Sequence, residues 1–494
     1  MAFVQPTLSV PTSRLQESQD LLHSARSAGD YLPVQKPTKS FWIDSPDANP
    51  LATEGSTGFL PAAADICIVG SGITGVSVAY HLATRFTREE PLRVIILEAR
   101  DFCSGATGRN GGHLTPNAFI DFSTLEAKYG QLEAMKALDL ESHTAKGILE
   151  FISSQDIVDE VDLVAGGHVT MFVTDDEFCR AQKDYHAARA AGVDLSNVEW
   201  LSKEEMYSIY GVPYPGAKYG GHNLWPLKLV TYLYNYAKFK MPLSLHTSTP
   251  VSTISPNKVG SPHRWKVHTP RGSVSCSYVV HATNAYASHL LPHLRGPSGI
   301  VPTRGQVMAV RASVPLDQFK GRSSWDANDD FEYWFPRPVT TISEHPLVIL
   351  GGGREVESRF EYGEIDDSKC SEVVSKVLRD FLPGLFRGKF ELGREPVMEW
   401  TGIMGFTSLR DPFVGPVGDL DASSSHDSNY KGQFIAAGYS GHGMPRAYAC
   451  GEVVATMILA ETRGESWSAP KWLPHHYLTS QIRRVNDNQT MPSK

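Results

Sequence analysis

The sequence is poor in cysteine, and its cysteines show no metal-binding or redox spacing. Six cysteines are scattered over 494 residues without a CxxC pair. This pattern argues against a disulfide framework or a zinc site and favours reduced thiols. The first residues, MAFVQPTLSVPTSRLQ, also lack the basic-then-apolar order of a secretory signal. We therefore expect a cytoplasmic protein and predict no metal ligands.

Blocks of like charge and long apolar runs are missing as well. The formal net charge is −8 and no run of basic residues occurs, which argues against a nucleic-acid partner. No apolar run approaches the roughly 20 residues of a membrane-spanning helix, so we expect no membrane partner. The hydrophobic fraction of 41% is sufficient for a large core, and 494 residues suit two domains better than one.

The strongest positive signal is a strand–turn–helix–strand unit. The apolar runs Ile66–Val69 and Val94–Leu97 predict two buried strands, and the turn Gly70–Gly75 that follows the first reads GSGITG. An acid, Glu98, follows the second strand, 23 positions after the last of these glycines. This order is typical of a dinucleotide-binding unit, so we expect an ADP-containing cofactor to bind here.

Each part of this unit has its own physical role. Gly70 permits the tight turn, Gly72 lets the backbone approach a pyrophosphate, and Gly75 lets the helix pack closely on the sheet. The free N–H groups at the helix start face the anion, and Glu98 accepts hydrogen bonds from the ribose hydroxyls. The predicted cofactor-binding residues of the unit are Gly70, Gly72, Ile73, Thr74, Gly75 and Glu98.

Three further segments are rich in glycine or small residues. Ser104–His113 is a second glycine-dense loop, in which the backbone must pass close to something flat or anionic. Tyr278–Ala285 is a β run that ends in small residues, and Gly438–Met444 opens another helix. The candidate cofactor-binding residues in these segments are Ala106, Thr107, Arg109, Asn110, Gly111, Gly112, Thr283, Gly441, Gly443 and Met444.

These segments, in this order, resemble the FAD-dependent oxidoreductases of the D-amino-acid oxidase and glycine oxidase superfamily. The sequence is most similar to the branch of amine and γ-glutamylputrescine oxidases, whose members show the same GRNGG loop. Glu399–Thr407 is similar to the late flavin-facing segment of that family, and Pro302–Gln306 resembles the strand that begins its substrate sheet. The resemblance covers roughly residues 64–460.

The resemblance implies an α/β fold, in which a Rossmann-type FAD-binding domain is interleaved with an α+β substrate domain built on a mixed or antiparallel sheet. It also implies oxidation of a C–N bond of a small amine or amino acid to an imine, with dioxygen as acceptor. A cofactor that carries the chemistry explains why no Ser-His-Asp or paired-carboxylate constellation is conspicuous.

The implied domain organisation divides the chain into seven segments. The FAD-binding domain is expected in three pieces, the substrate domain in two, and short segments at both ends. The predicted boundaries are 1–63 for an N-terminal extension, 64–150, 220–300 and 396–460 for the FAD-binding domain, 151–219 and 301–395 for the substrate domain, and 461–494 for a C-terminal tail.

Two of these segments carry structural expectations. The extension should bury little surface, apart from aromatic residues around Phe41–Ile43 that could pack on the body, so removal of residues 1–40 should leave flavin binding nearly intact. The stretch Leu125–Ile152 reads as one helix. Its candidate core positions are Leu132, Met135, Leu138 and Leu149.

The resemblance also indicates catalytic candidates. His442 and His113 lie beside glycines that should face the flavin, where an imidazole would stabilise negative charge. Trp400 is a candidate for an apolar wall of the site and completes the catalytic set. A covalent flavin is not expected, because Met404 stands near the position of the tethering cysteine in sarcosine-oxidase-like relatives. The tethering histidine of dimethylglycine-type dehydrogenases would fall near Arg109 or Asn110.

The substrate-binding candidates are aromatic and basic. Trp225 and Tyr333 are candidate walls of the pocket, and Arg337 and Arg354 are candidates for clamping a carboxylate as amino-acid oxidases require. In contrast, residues 151–219 contain 12 Asp and Glu against 5 Lys and Arg, which favours a cationic amine. A solvated acidic surface is the simpler interpretation of that charge.

Two other functions remain open. A flavin-dependent monooxygenase or dehydrogenase of a biosynthetic pathway is suggested by Gly418-Asp419, which is similar to the GD pair of aromatic hydroxylases. Such enzymes usually need NAD(P)H, and no second complete GxGxxG unit is present. The other alternative is a flavin-binding interaction protein without turnover. The sequence indicates neither the substrate nor the oligomeric state.

Overall fold

The computed structural model describes residues 12–25, 32–87, 92–319, 321–418 and 429–481. Within these ranges, no helix combines the length and the apolar character needed to cross a membrane. The α-helices are α1 (Thr12–Ser24), α2 (Phe41–Asp44), α3 (Ile73–Thr84), α4 (Phe122–Tyr129), α5 (Gln131–Gln155), α6 (Asp175–Ala190), α7 (Lys203–Tyr210), α8 (Pro226–Lys240), α9 (Ala287–Leu290), α10 (Leu316–Phe319), α11 (Glu372–Leu385) and α12 (Ala447–Arg463).

The strands form two large sheets and two small ones. They are β1 (Ile66–Val69), β2 (Val94–Leu97), β3 (His113–Leu114), β4 (His168–Met171), β5 (Glu199–Leu201), β6 (Gly216–Tyr219), β7 (His222–Asn223), β8 (Leu243–His246), β9 (Thr253–Pro256), β10 (Trp265–Thr269), β11 (Gly272–Cys276), β12 (Tyr278–His281), β13 (Val301–Arg311), β14 (Ser324–Ala327), β15 (Glu332–Pro336), β16 (Leu347–Gly352), β17 (Met398–Phe406), β18 (Phe413–Pro416) and β19 (Gln433–Ala437).

The first large sheet is the predicted dinucleotide-binding sheet. Its six strands lie in the order β18-β19-β12-β1-β2-β8 and are parallel except for β18. Every residue of β1 and β2 is buried, because helices α3, α8 and α12 cover one face and the small sheet β9–β11 covers the other. Burial on both faces is the reason that these strands read as continuous apolar runs.

The second large sheet has eight strands in the order β17-β13-β16-β15-β14-β4-β6-β5. Its neighbouring strands are antiparallel except β4 and β14, which run parallel. One face packs on α11, whose start is capped by the Ser371 hydroxyl group. The predicted fold class, a Rossmann-type domain with a second domain built on a mixed sheet, is confirmed. The long strand β17 belongs to this second sheet, although the predicted boundary at residue 396 assigns it to the FAD-binding domain.

The single helix expected over Leu125–Ile152 is two helices. Gly130 has φ +86° and separates α4 from α5, since this left-handed region ends one helix and redirects the chain. Leu138 is buried as predicted, but Leu132 is 66% exposed and is not a core residue. The prediction for Leu132 was wrong because the new helix start at Gln131 turns that side chain to solvent.

The N-terminal segment buries more than its sequence suggests. Trp42 and Ser40 are fully buried, and Leu22 is 3% exposed. The Trp42 ring lies 5.5 Å from the Trp225 ring and 6.4 Å from the Phe335 ring, so it joins the central core. The packing of the aromatic residues around Phe41–Ile43 on the body is therefore as expected, whereas the expectation of little burial before them is wrong at Ser40 and Leu22; residues 1–11 and 26–31 lie outside the described ranges.

Gly75→Ala tests the contact between α3 and the turn after β1. A Cβ atom at this position would collide with the carbonyl oxygen of Gly70 and approach the Ile68 side chain to 3.0 Å. Because backbone would have to move, we expect a loss of about 1–3 kcal/mol in the free energy of unfolding, measured by denaturant unfolding.

Gly220→Ala is the matched control, since its nearest neighbour would be the Asn197 amide nitrogen at 3.5 Å and the residue is exposed. Equal stability of the two variants would contradict the close packing of α3 on this turn.

Candidate active site between the two sheets

The turn after β1 is open on the side where a ligand would lie. Gly70 has φ +106°, and a Cβ atom there would be 2.6 Å from the Ala282 carbonyl oxygen. The N-cap residue of α3 is Gly72, which has no side chain of its own to cap the helix. A Cβ atom on Gly72 would meet only the Thr107 side chain, at 3.1 Å, and the Thr107 hydroxyl group accepts the Ile73 N–H. The start of α3 therefore offers N–H groups and space to an anion.

The acid predicted to hold ribose lies beside this turn. Glu98 follows β2 and accepts hydrogen bonds from the Ser71 N–H at 2.9 Å and the Ser71 hydroxyl group at 2.8 Å. Thr283 follows the neighbouring strand β12, and its buried hydroxyl group has no hydrogen-bond partner in the described part of the chain. The turn, the acid and the hydroxyl group thus lie at the carboxyl ends of three adjacent strands, where α/β sheets bind ligands.

Loop 104–113, the flavin loop predicted from the GRNGG pattern, is held by a buried arginine. A 3₁₀ helix spans Ala106–Arg109, and the Arg109 guanidinium donates to the carbonyl oxygens of Ser104 (2.9 Å), Thr38 (2.8 Å) and Thr401 (3.0 Å). Burial lowers the pKa of Arg109 to about 10, against the opposing effect of Asp367, so the side chain stays charged at neutral pH. The guanidinium is thus engaged with the protein, and a direct contact with a cofactor stays a prediction.

Two indole rings hold the backbone of the flavin loop. The Trp400 Nε1–H donates to the Arg109 carbonyl oxygen at 2.9 Å, and the Trp42 Nε1–H donates to the Asn110 carbonyl oxygen at 2.6 Å. Trp400 is fully buried, so the structure gives it a contact with the loop rather than a surface in the site. Its assignment as a catalytic residue stays a prediction.

The end of the flavin loop lies against the second sheet. The Tyr333 ring occupies a slot between Gly111 and Gly351, and a Cβ atom on either glycine would collide with that ring. Burial raises the pKa of Tyr333 to about 12, although Arg354 opposes the shift. Tyr333 is therefore a neutral phenol at physiological pH that lies next to the flavin loop, and its role as a wall of the pocket stays a prediction.

His113 lies where the loop enters β3. Its ring is 5.6 Å from the Tyr333 ring and 5.4 Å from the Phe335 ring, and its Nε2 atom is 3.3 Å from the Trp325 carbonyl oxygen. Burial, together with the neighbouring His168, lowers the pKa of His113 to about 4. The imidazole is therefore neutral at physiological pH and carries no positive charge to place beside a flavin.

The polar face of the second sheet was not predicted. His168 on β4 and Asp326 on β14 point to the side of His113, whereas Val169 and Trp325, which alternate with them, point into the core beside α11. The His168 Nε2 atom lies 2.7 Å from the Asp326 carboxylate. This alternation of polar and apolar residues is visible in the sequences HVTM and SWDA and could have indicated the face.

This polar face carries negative charge. Burial would raise the pKa of Asp326, but His168 lowers it below its usual value. Asp330 follows this strand and has exposed surface, yet burial raises its pKa well above the usual value and Asp326 raises it further.

The imidazole of His442 is held by an ion pair with the buried acid Glu141. Its Nε2 atom lies 3.0 Å from the Glu141 carboxylate, which also accepts from the Arg446 Nε–H at 2.8 Å. Burial would raise the pKa of Glu141, but His442 and Arg446 lower it to about 2. The neighbouring Gly441 has φ +87° and Met444 is buried. A contact between His442 and the flavin stays a prediction.

The other predicted substrate residues are held by separate neighbours. Trp225 is buried and donates its indole N–H to the Trp42 carbonyl oxygen at 2.9 Å. Arg337 donates to Asp162 at 2.9 Å and lies 4.6 Å above the Trp225 ring. Arg354 lies 5.0 Å from the rings of Phe331 and Phe406. The structure does not bring the two arginines together as a carboxylate clamp.

The residues at these strand ends fit FAD. The start of α3, whose N-cap residue is a glycine, suits a pyrophosphate, and Glu98 is an acceptor for ribose hydroxyl groups. Where the end of loop 104–113 meets the second sheet, the neutral rings of His113 and Tyr333 are of the kind that can border a flavin ring, and the position of that ring stays a prediction.

Comparisons with known proteins agree with this geometry. The sequence model of the family described as "FAD dependent oxidoreductase" matches residues 65–457. The chain is 25% identical over 427 residues to the gamma-glutamylputrescine oxidoreductase of Escherichia coli (strain K12), which covers 83% of this chain and 87% of that protein. It is 26% identical over 408 residues to the glycine oxidase of Geobacillus kaustophilus (strain HTA426), which covers 80% of this chain and 92% of that protein. The crystal structure of a glycine oxidase from Geobacillus kaustophilus superposes with a TM-score of 0.61 at 22% identity, over 83% of this chain and 97% of that one.

Glu98→Ala tests the predicted cofactor site. Loss of the carboxylate removes a charged hydrogen-bond acceptor, so the affinity for FAD should fall by about 1–3 kcal/mol. Isothermal titration of the apoprotein with FAD measures the change.

Asp101→Ala, at an exposed acid three positions further along, is the control and should bind FAD as the unmodified protein does. An unchanged affinity in Glu98→Ala would place the adenosine elsewhere.

Proposed function

Because the chain belongs to the family of FAD-dependent oxidoreductases, we propose that it oxidises a C–N bond of a small amine or amino acid to an imine, with dioxygen as electron acceptor. FAD supplies the two-electron oxidation and is held without a covalent bond to the protein. The chain's own residues bind the substrate, orient it and keep water from the reacting carbon. The imine product then hydrolyses in solution to a carbonyl compound and an amine or ammonia.

The observation that carries this proposal is the uncharged surface beside the flavin loop. Only a neutral amine can donate a hydride equivalent, so the site must favour the deprotonated form of its substrate. His113 and Tyr333 present neutral side chains there, and their pKa values of about 4 and about 12 keep them neutral between pH 5 and 9. A buried, uncharged surface disfavours an ammonium group and therefore lowers the pKa of a bound amine.

An acidic residue further along the same face supports a cationic amine as the substrate. Asp326, whose pKa is lowered by His168, lies beyond His113, where a second ammonium group of a diamine or polyamine would gain a charge-assisted hydrogen bond. The predicted role of Arg337 in a carboxylate clamp has less support, since its guanidinium group is already paired with Asp162. Amines are therefore proposed ahead of amino acids as substrates.

No structural observation favours the monooxygenase alternative. Gly418 is the last residue before an undescribed segment, and Asp419 of the GD pair, together with the polar loop that follows it, lies outside the described residues. A flavin-binding interaction protein would differ from an enzyme in one measurable property, the absence of turnover. Both alternatives are outcomes of the experiment below.

Anaerobic mixing of the FAD-loaded protein with a panel of amines, polyamines and amino acids tests the proposal. We expect loss of the visible flavin absorbance with at least one amine, and its recovery with release of peroxide when dioxygen is admitted. Reduction by NAD(P)H instead would indicate a monooxygenase, and reduction by an amine without rapid reaction with dioxygen would indicate a dehydrogenase. No reduction by any compound would contradict the proposed activity.

Asp326→Asn tests the proposed preference for cations. Removal of one buried negative charge should raise KM about tenfold for a diamine, the effect of losing roughly 1–3 kcal/mol of charge-assisted hydrogen bonding. The KM for a monoamine should change much less. Steady-state kinetics with a homologous pair of monoamine and diamine measures the difference.

Asp176→Asn is the control, because Asp176 is exposed and pairs with Arg180 at the surface. Equal changes for the monoamine and the diamine in Asp326→Asn would remove the role of Asp326 in substrate choice.

A further inference from the structure

We propose that residues 38–44, here called the N-terminal strap, are positioning residues that hold loop 104–113 in the conformation that binds FAD. The strap lies outside residues 65–457, which the family match covers. The inference rests on the predicted role of loop 104–113 in the cofactor site, and it is independent of which substrate the enzyme oxidises. Trp42 is its central side chain.

Three successive residues of the loop are bonded to the strap. The Ser40 hydroxyl group donates to the Gly108 carbonyl oxygen at 2.6 Å. The Arg109 guanidinium donates to the Thr38 carbonyl oxygen at 2.8 Å. The Trp42 indole donates to the carbonyl oxygen of the third residue, Asn110, at 2.6 Å. The strap thus fixes the path of the loop backbone over the whole GRN portion of the GRNGG sequence.

Two glycines of the loop are matched to the strap. A Cβ atom on Gly108 would be 2.7 Å from the terminal methyl group of Ile43, and one on Gly112 would be 3.1 Å from the Trp42 ring. The sequence predicts that something flat passes close to this backbone. In the structure one such flat group is the indole ring of Trp42. A glycine is therefore needed at position 112 partly because of the protein's own side chain, and not only because of a cofactor.

The strap is bonded to residues beside both large sheets and can therefore fix the position of the loop relative to them. On the side of the first sheet, the Trp225 indole at the start of α8 donates to the Trp42 carbonyl oxygen at 2.9 Å. On the side of the second sheet, the Thr401 N–H of β17 donates to the Thr38 hydroxyl group at 2.9 Å. Within the strap, the Ser40 N–H at the start of α2 donates to the Asp44 carboxylate at 2.7 Å, which stabilises this short helix.

This arrangement preorganises the loop before FAD arrives. A loop that is already fixed loses little conformational entropy on binding, whereas a loose loop must be ordered at the expense of affinity. Weakening the strap should therefore lower the affinity for FAD and loosen the loop in the apoprotein, even where the strap residues do not touch the cofactor.

Trp42→Phe is the most direct variant, because it keeps an aromatic ring in the core but removes the N–H that bonds to Asn110. Ser40→Ala removes the bond to Gly108 with a minimal change of volume. The control is Trp467→Phe, which removes a partly exposed indole bonded to the Thr456 hydroxyl group at 3.1 Å, away from the loop. Trp42→Ala is avoided as the only test, since removal of a fully buried indole endangers folding.

Two measurements decide the proposal. We expect Trp42→Phe and Ser40→Ala each to weaken FAD binding to the apoprotein about threefold to tenfold, the effect of losing one hydrogen bond. Hydrogen exchange of the apoprotein should be faster in peptides that cover residues 104–113 and unchanged in peptides from α6. Trp467→Phe should match the unmodified protein in both measurements.

Unchanged FAD affinity, or an unchanged exchange rate of the loop, in both strap variants would overturn the inference. Both measurements are made without substrate. If the protein oxidises no amine, they still test whether the strap holds the loop. An unmodified protein that takes up no FAD would overturn the proposed function and this inference together.

Discussion

The buried guanidinium of Arg109 is the interaction on which the arrangement of this protein depends. It joins carbonyl oxygens from three segments that are distant in the sequence, at residues 38, 104 and 401. Asp367 lies 3.8 Å away and also bonds to Arg100 at 3.0 Å, so one buried carboxylate is shared by two buried guanidinium groups. An unpaired charge at this depth would be strongly destabilising. The N-terminal segment, the flavin loop and the second sheet are therefore fixed relative to one another as a unit.

This fixed loop gives the site its chemical character. Two buried indoles hydrogen-bond to its backbone, and Gly111 near its end contacts the Tyr333 ring. Under the proposed function, the substrate meets neutral groups near the loop and the Asp326 carboxylate further along the second sheet. A substrate with one amine to oxidise and a second positive charge to anchor fits that gradient from neutral to acidic surface.

Local patterns in the sequence predicted the dinucleotide-binding unit well. The strands, the glycine turn and Glu98 lie within one short stretch, and each is specified by its own neighbours in sequence. The break at Gly130 was missed because apolar periodicity continues across it, and only its positive φ redirects the chain. Leu132 was consequently misplaced in the core, although it lies on a regular pattern.

Contacts between distant segments could not be predicted in the same way. Trp42 is buried by residues such as Trp225, 183 positions further along, and no local sequence pattern predicts that contact. Arg337 is paired with Asp162, a partner that its residue type did not indicate, and its role in a carboxylate clamp stays a prediction. His168 and Asp326 were visible as alternating polar residues, but their pairing depends on two parallel strands from separate parts of the chain. Sequence patterns therefore indicated the cofactor, while the surface that selects a substrate required the fold.

The central claim is that the ring system of FAD lies between loop 104–113 and the polar face of the eight-stranded sheet. A crystal structure of the FAD-loaded protein tests it most directly. The account predicts the pyrophosphate at the start of α3, the adenosine ribose at Glu98, and the isoalloxazine ring within contact distance of the loop and of the side of the sheet that carries Tyr333. A flavin ring that contacts neither the loop nor that face would contradict it.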